Sequence, residues 1–362
     1  MPHIHIGHHY FGSGNVGDDW MLAGFLSSVD SAGIDVRLTC CIPHDREAMR
    51  LRFPRIEWLE YERGIRAHLI SQADAWLGLG DTPFQSDTGN WLLDHLEEEM
   101  DMCERCDTRV FFLGVGAESR DAVHSPRATR IIRRACRIWS RDELSDEWIR
   151  AVAGDPKRVA PGADVANLYF EGLGARGRHR GAAVGLVINL ERPEQLDIPE
   201  LARFLSGPEP RGIRWIAQEV RNLSISEVCL WERFDTTIRE RIDLAVPDYH
   251  GGSIDSFLLP YDGLSTLLST RYHSALAGAW MGIAVSAYAR SKKLRGLMNQ
   301  LGLSECASLT SAEAIAAGIA AATVVSPDAL KVVSATTLAA CLEFFSLLES
   351  PRTKQAGGPA TG

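Results

Sequence analysis

Apolar runs of strand length alternate with longer amphipathic segments along almost the whole chain, and this alternation restricts the fold more than any single motif does. The short runs are Ile4–Gly7, Asp35–Ile42, Ile56–Leu59, Ala75–Gly80, Val110–Val115 and Ile138–Ser140. Between them, segments such as Asp19–Val29, Trp91–Cys103 and Pro126–Cys136 repeat apolar residues every three or four positions. Strand and helix in alternation imply a parallel sheet with helices on its faces, because each helix returns the chain before the next strand begins. The pattern breaks at Glu171–Gly181, EGLGARGRHRG, where Gly and Arg displace any apolar period. It resumes with strands at Ala183–Asn189 and Ile213–Gln218, a helix over Ile225–Arg241, a strand at Thr266–Ser269, a helix over Tyr272–Met281 and a strand at Ile283–Tyr288. Helical stretches at Ser311–Ala321 and Ser326–Leu348 close it. The expectation is an α/β protein of two domains, residues 1–175 and 182–349, facing a central cleft, with a disordered tail at 350–362.

Composition narrows the class. Asp plus Glu (47) exceed Lys plus Arg (38), giving a formal charge of −9, which argues against a dedicated nucleic-acid binder. The first ten residues, MPHIHIGHHY, have neither the basic nor the apolar region of a signal peptide. Ser274–Ala289, the longest weakly polar run, is shorter than the roughly 20 residues a bilayer span needs, so no integral membrane segment is expected. Eight cysteines in so long a chain do not make a disulfide scaffold, and the cytoplasm is the expected compartment.

In open parallel sheets, ligands bind beyond the carboxyl ends of the strands, so the strand-to-helix junctions are where chemistry is sought. The first junction, YFGSGNVGDDW (Tyr10–Trp20), has three glycines, Gly12, Gly14 and Gly17, that allow positive φ before a helix expected to start near Asp18. It can cradle an anion on free helix N–H groups, or be a tight turn with Asp18 or Asp19 as cap. The second, STRYHSALAGA (Ser269–Ala279), sets Arg271 and His273 two residues apart at a strand end. An anion clamp and a proton carrier would then share one place, although a surface ion pair and an interior histidine fit the same spacing. WSRDELS (Trp139–Ser145) offers Arg141, and LGLGDTPFQ (Leu77–Gln85) offers Asp81 at the tip of a turn. No metal is expected: Cys103 and Cys106 have no matching second pair, and His3, His5, His8 and His9 have no carboxylate companions.

In this order the junctions resemble the polysaccharide pyruvyl transferase family. The resemblance rests on GSGNVGDDWML (Gly12–Leu22), LGLGD (Leu77–Asp81), FLGVGAES (Phe112–Ser119), IWSRDELS (Ile138–Ser145) and PGADVANL (Pro161–Leu168). Above all it rests on STRYHSALAGAWMGIAVSAYARSKKLRGLMNQLGL (Ser269–Leu303). It implies two Rossmann-like domains in a glycosyltransferase-B-like pair, with phosphoenolpyruvate as co-substrate, no other cofactor, and a glycan or lipid-linked sugar as acceptor. Carried over by position, Arg141, Arg271 and Tyr272 would bind the donor and His273 would act as general acid or base. Asp18 would activate the acceptor hydroxyl or bind the acceptor, with Asn15, Gly17 and Asp81 as further substrate-binding residues. The family's Tyr-x-x-Lys region corresponds to Tyr288 with Lys292 or Lys293, its spacing stretched. Where the family has a run of glycines, this chain has Gly78, Leu79, Gly80 and Asp81. A nucleotide-sugar glycosyltransferase of the same architecture and a non-catalytic relative stay open as alternatives, as do peripheral membrane association and the oligomeric state.

Overall fold

The computed structural model describes residues 1–85, 89–173, 181–207, 212–222 and 224–350. The expected tail beyond residue 350 and most of the expected boundary segment lie outside the described residues. Seven parallel strands form the first sheet: β1 (His3–Ile6), β2 (Arg37–Ile42), β3 (Ile56–Glu60), β4 (Ala75–Leu79), β5 (Arg109–Val115), β6 (Arg137–Ser140) and β7 (Val159–Pro161), in the order β3-β2-β1-β4-β5-β6-β7. Six more form the second: β8 (Ala183–Val187), β9 (Ile213–Ile216), β10 (Ile242–Ala245), β11 (Leu264–Ser269), β12 (Ala284–Ala287) and β13 (Ser304–Glu305), in the order β10-β9-β8-β11-β12-β13. Both are Rossmann-like. In each, strand order reverses around the first strand of the unit, and a ligand crevice opens at such a point.

Three strands, β7, β10 and β13, are absent from the sequence expectation; each is short and each is an edge strand. The single helix expected over Ile225–Arg241 is instead two short ones, Glu227–Trp231 and Thr236–Arg239. Each starts on its own cap, Ser226 accepting from Cys229 N–H and Asp235 from Ile238 N–H, so the chain re-nucleates where one amphipathic period suggested continuity. A helix over Lys292–Leu301, not foreseen in that basic stretch, follows β12.

One hydrophobic core runs from the first sheet across the junction to the inner face of the second. The alternation along the strands of the second unit shows the division: Val184, Leu186, Ile213 and Trp215 pack in a separate outer cluster, whereas Val187 and Ile216 join the shared core. The helix Val16–Ala32 meets the helix Ala166–Gly172 so closely that a Cβ on Gly24 would lie 1.9 Å from the Val165 carbonyl oxygen.

The last helix, Pro327–Glu349, which the sequence reading grouped with the second unit, returns to the first. Phe344 packs edge-on to Phe111 (5.3 Å between centroids) and Trp139 (6.1 Å), while the Arg109 guanidinium donates to the carbonyls of Leu347 and Leu348. Among the described residues this helix, and not Ser274–Ala289, is long and apolar enough to cross a bilayer. Leu330, Val333, Cys341, Phe344, Phe345 and Leu348 are buried along it, so it serves as a core helix.

Candidate active site

The carboxyl ends of the two sheets meet, and the groups singled out in the sequence collect there. Arg141 follows β6 directly and is 1% exposed. Its Nη1 donates to Asp164 Oδ2 (3.4 Å), its Nη2 to Thr82 Oγ1 (3.1 Å), and its guanidinium lies 4.4 Å from the centroid of the Tyr272 ring of the other unit. Asp164, just beyond β7, accepts from Ala166 N–H through Oδ1 and shares Oδ2 with Nε2 of His273 at 3.3 Å. One buried carboxylate thus joins an arginine of the first unit to a histidine of the second. Burial alone would raise its pKa, but His273, Arg141 and the Ala166 N–H together hold it below the usual carboxylate value.

Asp164 is the residue that sequence reasoning missed. It lies within PGADVANL, yet without β7 nothing marked it as standing at a strand end.

On the second unit, Arg271 occupies the N-cap position of the helix Tyr272–Trp280. Its Nε donates to Glu227 Oε1 at 2.7 Å, and its Nη2 is buried without a partner among the described residues. Glu227 is itself fixed, since Oε2 accepts from the backbone N–H groups of Gln218 (3.0 Å) and Glu219 (3.1 Å). The two candidate lysines separate. Lys293 is close enough to hold Glu191 below the usual carboxylate value and to oppose the rise that burial and neighbouring carboxylates produce at Asp18. Lys292 instead places Nζ 5.1 Å from the centroid of the Trp148 ring, away from the site.

The glycine loop behaves differently from its expectation. The helix starts at Val16, and Asn15 caps it by accepting from Gly17 N–H at 3.1 Å. Asp18 and Asp19 therefore lie inside the first turn and cap nothing. The Val16 N–H donates to the Gln218 carbonyl and Val220 N–H donates to the Gly14 carbonyl, so the loop zips onto the second unit, and the helix end is not left open to an anion. Gly12 and Gly14 adopt left-handed φ as expected. Gly17 does not; it is glycine because a Cβ there would lie 2.2 Å from Nδ1 of His273.

Asp19 is buried and paired with Arg52 at 2.6 Å. Asp18 is buried beside Asp81, Asp19 and Glu219, and burial followed by those like charges drives its pKa well above the usual value, opposed by Lys293. A carboxyl of that kind can hold a proton near neutral pH. In the turn after β4, Gly80 and Asp81 both have left-handed φ, +66° and +60°, so Asp81 adopts the conformation that a glycine run would supply. Its carbonyl accepts from Gly116 N–H at 2.7 Å.

The N-terminal histidines are engaged internally. His3 and His5 bond the Thr39 hydroxyl, and His8 bonds the Leu79 carbonyl and the Tyr10 hydroxyl. A cavity of about 490 Å³, lined in part by Arg37, Glu57 and His68, opens at the far edge of the first sheet and contains none of the groups described above.

Comparison with known proteins decides the family. The model of polysaccharide pyruvyl transferases matches residues 15–291, from the Asn15 cap to the Ser291 cap. The chain belongs to the polysaccharide pyruvyl transferase family. This member of that family matches no curated protein sequence. Its fold is shared with solved structures of low identity. The UDP-GlcNAc 2-epimerase of Neisseria meningitidis bound to UDP-GlcNAc has a TM-score of 0.62 at 11% identity, covering 97% of this chain and 100% of that one. The Anabaena protein HepE in complex with UDP-glucose gives 0.59 at 12% identity, with 97% and 100% covered. A UDP-glucosyltransferase from Polygonum tinctorium gives 0.56 at 12%, with 97% and 99% covered. The pyruvyl transferase chain is therefore a glycosyltransferase-B-like pair of Rossmann-like domains, and a transferase.

Proposed function

We propose that this chain transfers the enolpyruvyl unit of phosphoenolpyruvate onto hydroxyls of a sugar in a polysaccharide or glycan precursor, forming a ketal and releasing phosphate. The supporting observation is the Asp164 bridge, which sets His273 beside Arg141 across the meeting rims while Arg271 keeps Nη2 unpartnered. Phosphoenolpyruvate carries a carboxylate and a phosphate, and arginine forks suit both. The reaction begins with a proton added to the enol methylene, leaving an oxocarbenium-like carbon. A sugar hydroxyl attacks and loses its proton, phosphate leaves, and a second hydroxyl closes the ketal with loss of another proton.

His273 is the proton donor in this reading, with Asp164 fixing its ring, and Asp18, in its ionised form, is the group that receives the hydroxyl proton, its raised pKa making it the stronger base. A positioned acid or base of this kind contributes roughly 10²–10⁴-fold. No cofactor beyond the co-substrate is invoked, and the eight free cysteines suit a reducing compartment such as the cytoplasm.

The test is incubation with phosphoenolpyruvate and a panel of glycans and lipid-linked precursors. Acceptor-dependent phosphate release together with a ketal product is the expected result. Thermal stabilisation by UDP and not by phosphoenolpyruvate would instead favour a nucleotide-sugar glycosyltransferase, the reading suggested by the ligands of the structural neighbours. Failure of both, with biological function surviving in Arg271→Ala and His273→Ala, would leave a non-catalytic relative.

A further inference from the structure

Arg290, absent from the expected site, follows β12 in the basic stretch ARSKK. It is 8% exposed. Its Nη1 is pinned twice by Asn189, donating to the carbonyl oxygen at 2.6 Å and to Oδ1 at 2.9 Å. Among the described residues its Nε and Nη2 have no partner. Those two nitrogens form the side edge of the guanidinium, which binds two oxygens of one phosphate or carboxylate at once. A buried arginine with that edge unpaired is incomplete without an anion, since an unmade bond to a buried charged donor is costly.

Arg290 is not alone. Arg271 is near enough for its charge to depress the pKa of Arg290, which burial chiefly lowers to about 10, and it too keeps Nη2 buried and unpartnered. Lys293, the second residue of the helix that follows, faces the same region, where Glu191 feels it more strongly than any other charge. Glu227 bonds Arg271, and Glu191 and Glu194 are near enough to Arg290 to act on its charge, but among the described residues none bonds its free edge.

We infer that Arg290, with Arg271 and Lys293, forms a phosphoryl-binding locus on the second unit, separate from the Arg141–Asp164–His273 bridge. The inference rests on the proposed reading only in naming the phosphoryl group as that of an enol phosphate. It divides the donor: the phosphate is held by the second unit, and the carboxylate is left to the rim of the first, where Arg141 keeps Nε unpaired. The phosphate would then depart into a site already holding positive charge.

Calorimetric titration of the full chain with inorganic phosphate, and separately with pyruvate as a carboxylate-only probe, tests this. Arg290→Gln should weaken phosphate binding by about tenfold or more, the loss expected for a charge-assisted pair of bonds, and leave pyruvate binding within about twofold. Arg290→Lys should fall between, keeping charge but losing the fork. Should the Arg290 variants fail to fold, Lys293→Met, at a partly exposed position, should still weaken phosphate several-fold. Displacement of phosphate by phosphoenolpyruvate and not by UDP is expected.

Phosphate binding that is absent in the wild type, or equal in Arg290→Gln and Lys293→Met to the wild type, overturns the locus. Displacement by UDP alone overturns its assignment to an enol phosphate. Arg290-dependent phosphate binding in a protein that makes no ketal would support the locus while the proposed reaction fell. Ketal formation with phosphate binding indifferent to Arg290 would do the reverse.

Discussion

The two rims of the site treat buried arginine in opposite ways. On the first, Arg141 uses both terminal nitrogens on protein partners, Asp164 and Thr82, and stacks on Tyr272, keeping only Nε unpaired. On the second, Arg271 keeps Nη2 and Arg290 keeps both Nε and Nη2 without partners. A satisfied buried network rigidifies what it holds, and here it holds His273. An unsatisfied one is a standing demand for a ligand. The first rim therefore positions and the second awaits, and each prediction below tests one side of that contrast.

The largest effect is expected at Asp164. Asp164→Ala removes the common partner of Arg141 and His273 and leaves a buried guanidinium uncompensated, which costs about 3–5 kcal/mol when one member of such a pair is deleted. Transfer should fall at least as far as in His273→Ala, for which roughly 10²–10⁴-fold is expected. His273 is 11% exposed at its side chain and stands at the end of the bridge with Asp164 as its one bonded side chain there, so its alanine variant should retain most of the thermal stability that Asp164→Ala loses. Unfolding curves beside phosphate-release rates separate the two; equal stability in both variants would remove the bridging role.

Gly17→Ala comes next. Alanine is the better helix former by about 1 kcal/mol, but its Cβ would lie 2.2 Å from Nδ1 of His273, and such overpacking costs about 1–3 kcal/mol. The two nearly offset in stability while the ring is pushed aside. A displacement of about 1 Å is enough for a loss on the order of 10²-fold in rate. Melting temperature close to the wild type with a large fall in kcat is the expected pair of results, and an unchanged kcat would show that the ring can move without consequence.

How much of this was legible before the structure depends on local pattern. Strands β1 to β6 were readable because each is an apolar run bounded by polar turns, and Arg141, Arg271 and His273 were readable because each directly follows such a run. Asp164 was hidden by the brevity of β7, whose three residues include a proline and carry no period. Arg290 was hidden for the opposite reason: a basic stretch looks solvated until the fold buries one member of it. Gly17 was read as a conformational glycine because steric need from a residue 256 positions away leaves no local trace. That the last helix packs on the first sheet is likewise a tertiary choice, as its apolar residues would suit either unit.

A smaller effect, and one with a sign, is expected at Asp18. Its folded pKa is raised above the reference value of 3.8, so the folded state holds a proton that the unfolded chain has released, and stability falls as pH rises from that reference through the folded pKa. Asp18→Asn removes the penalty. Its melting temperature should exceed the wild type by a few degrees at pH 8, and the advantage should vanish below pH 3.8. A variant less stable than the wild type at pH 8 would show that Lys293 outweighs the surrounding carboxylates.

The smallest effect separates neighbouring lysines. Lys292 is exposed and stacks on Trp148, which lies on the first-unit helix Glu143–Val152, so it ties the units together from outside the site. A cation over an indole at such a position contributes about 0.5–1 kcal/mol, and Lys292→Ala should lose no more than that while transferring at the wild-type rate. Lys293, one residue on, is turned by the helical step towards Asp18 and Glu191, and its removal should both weaken phosphate binding and raise the pKa of the two carboxyls that it now restrains. The stretched Tyr-x-x-Lys spacing then has a plain reading, in which the helix begins after Ser291 and its second residue, not its first, faces the rim. Loss of transfer in Lys292→Ala with Lys293→Met active would reverse that assignment, and would move the awaiting charge from the second rim to the outer seam.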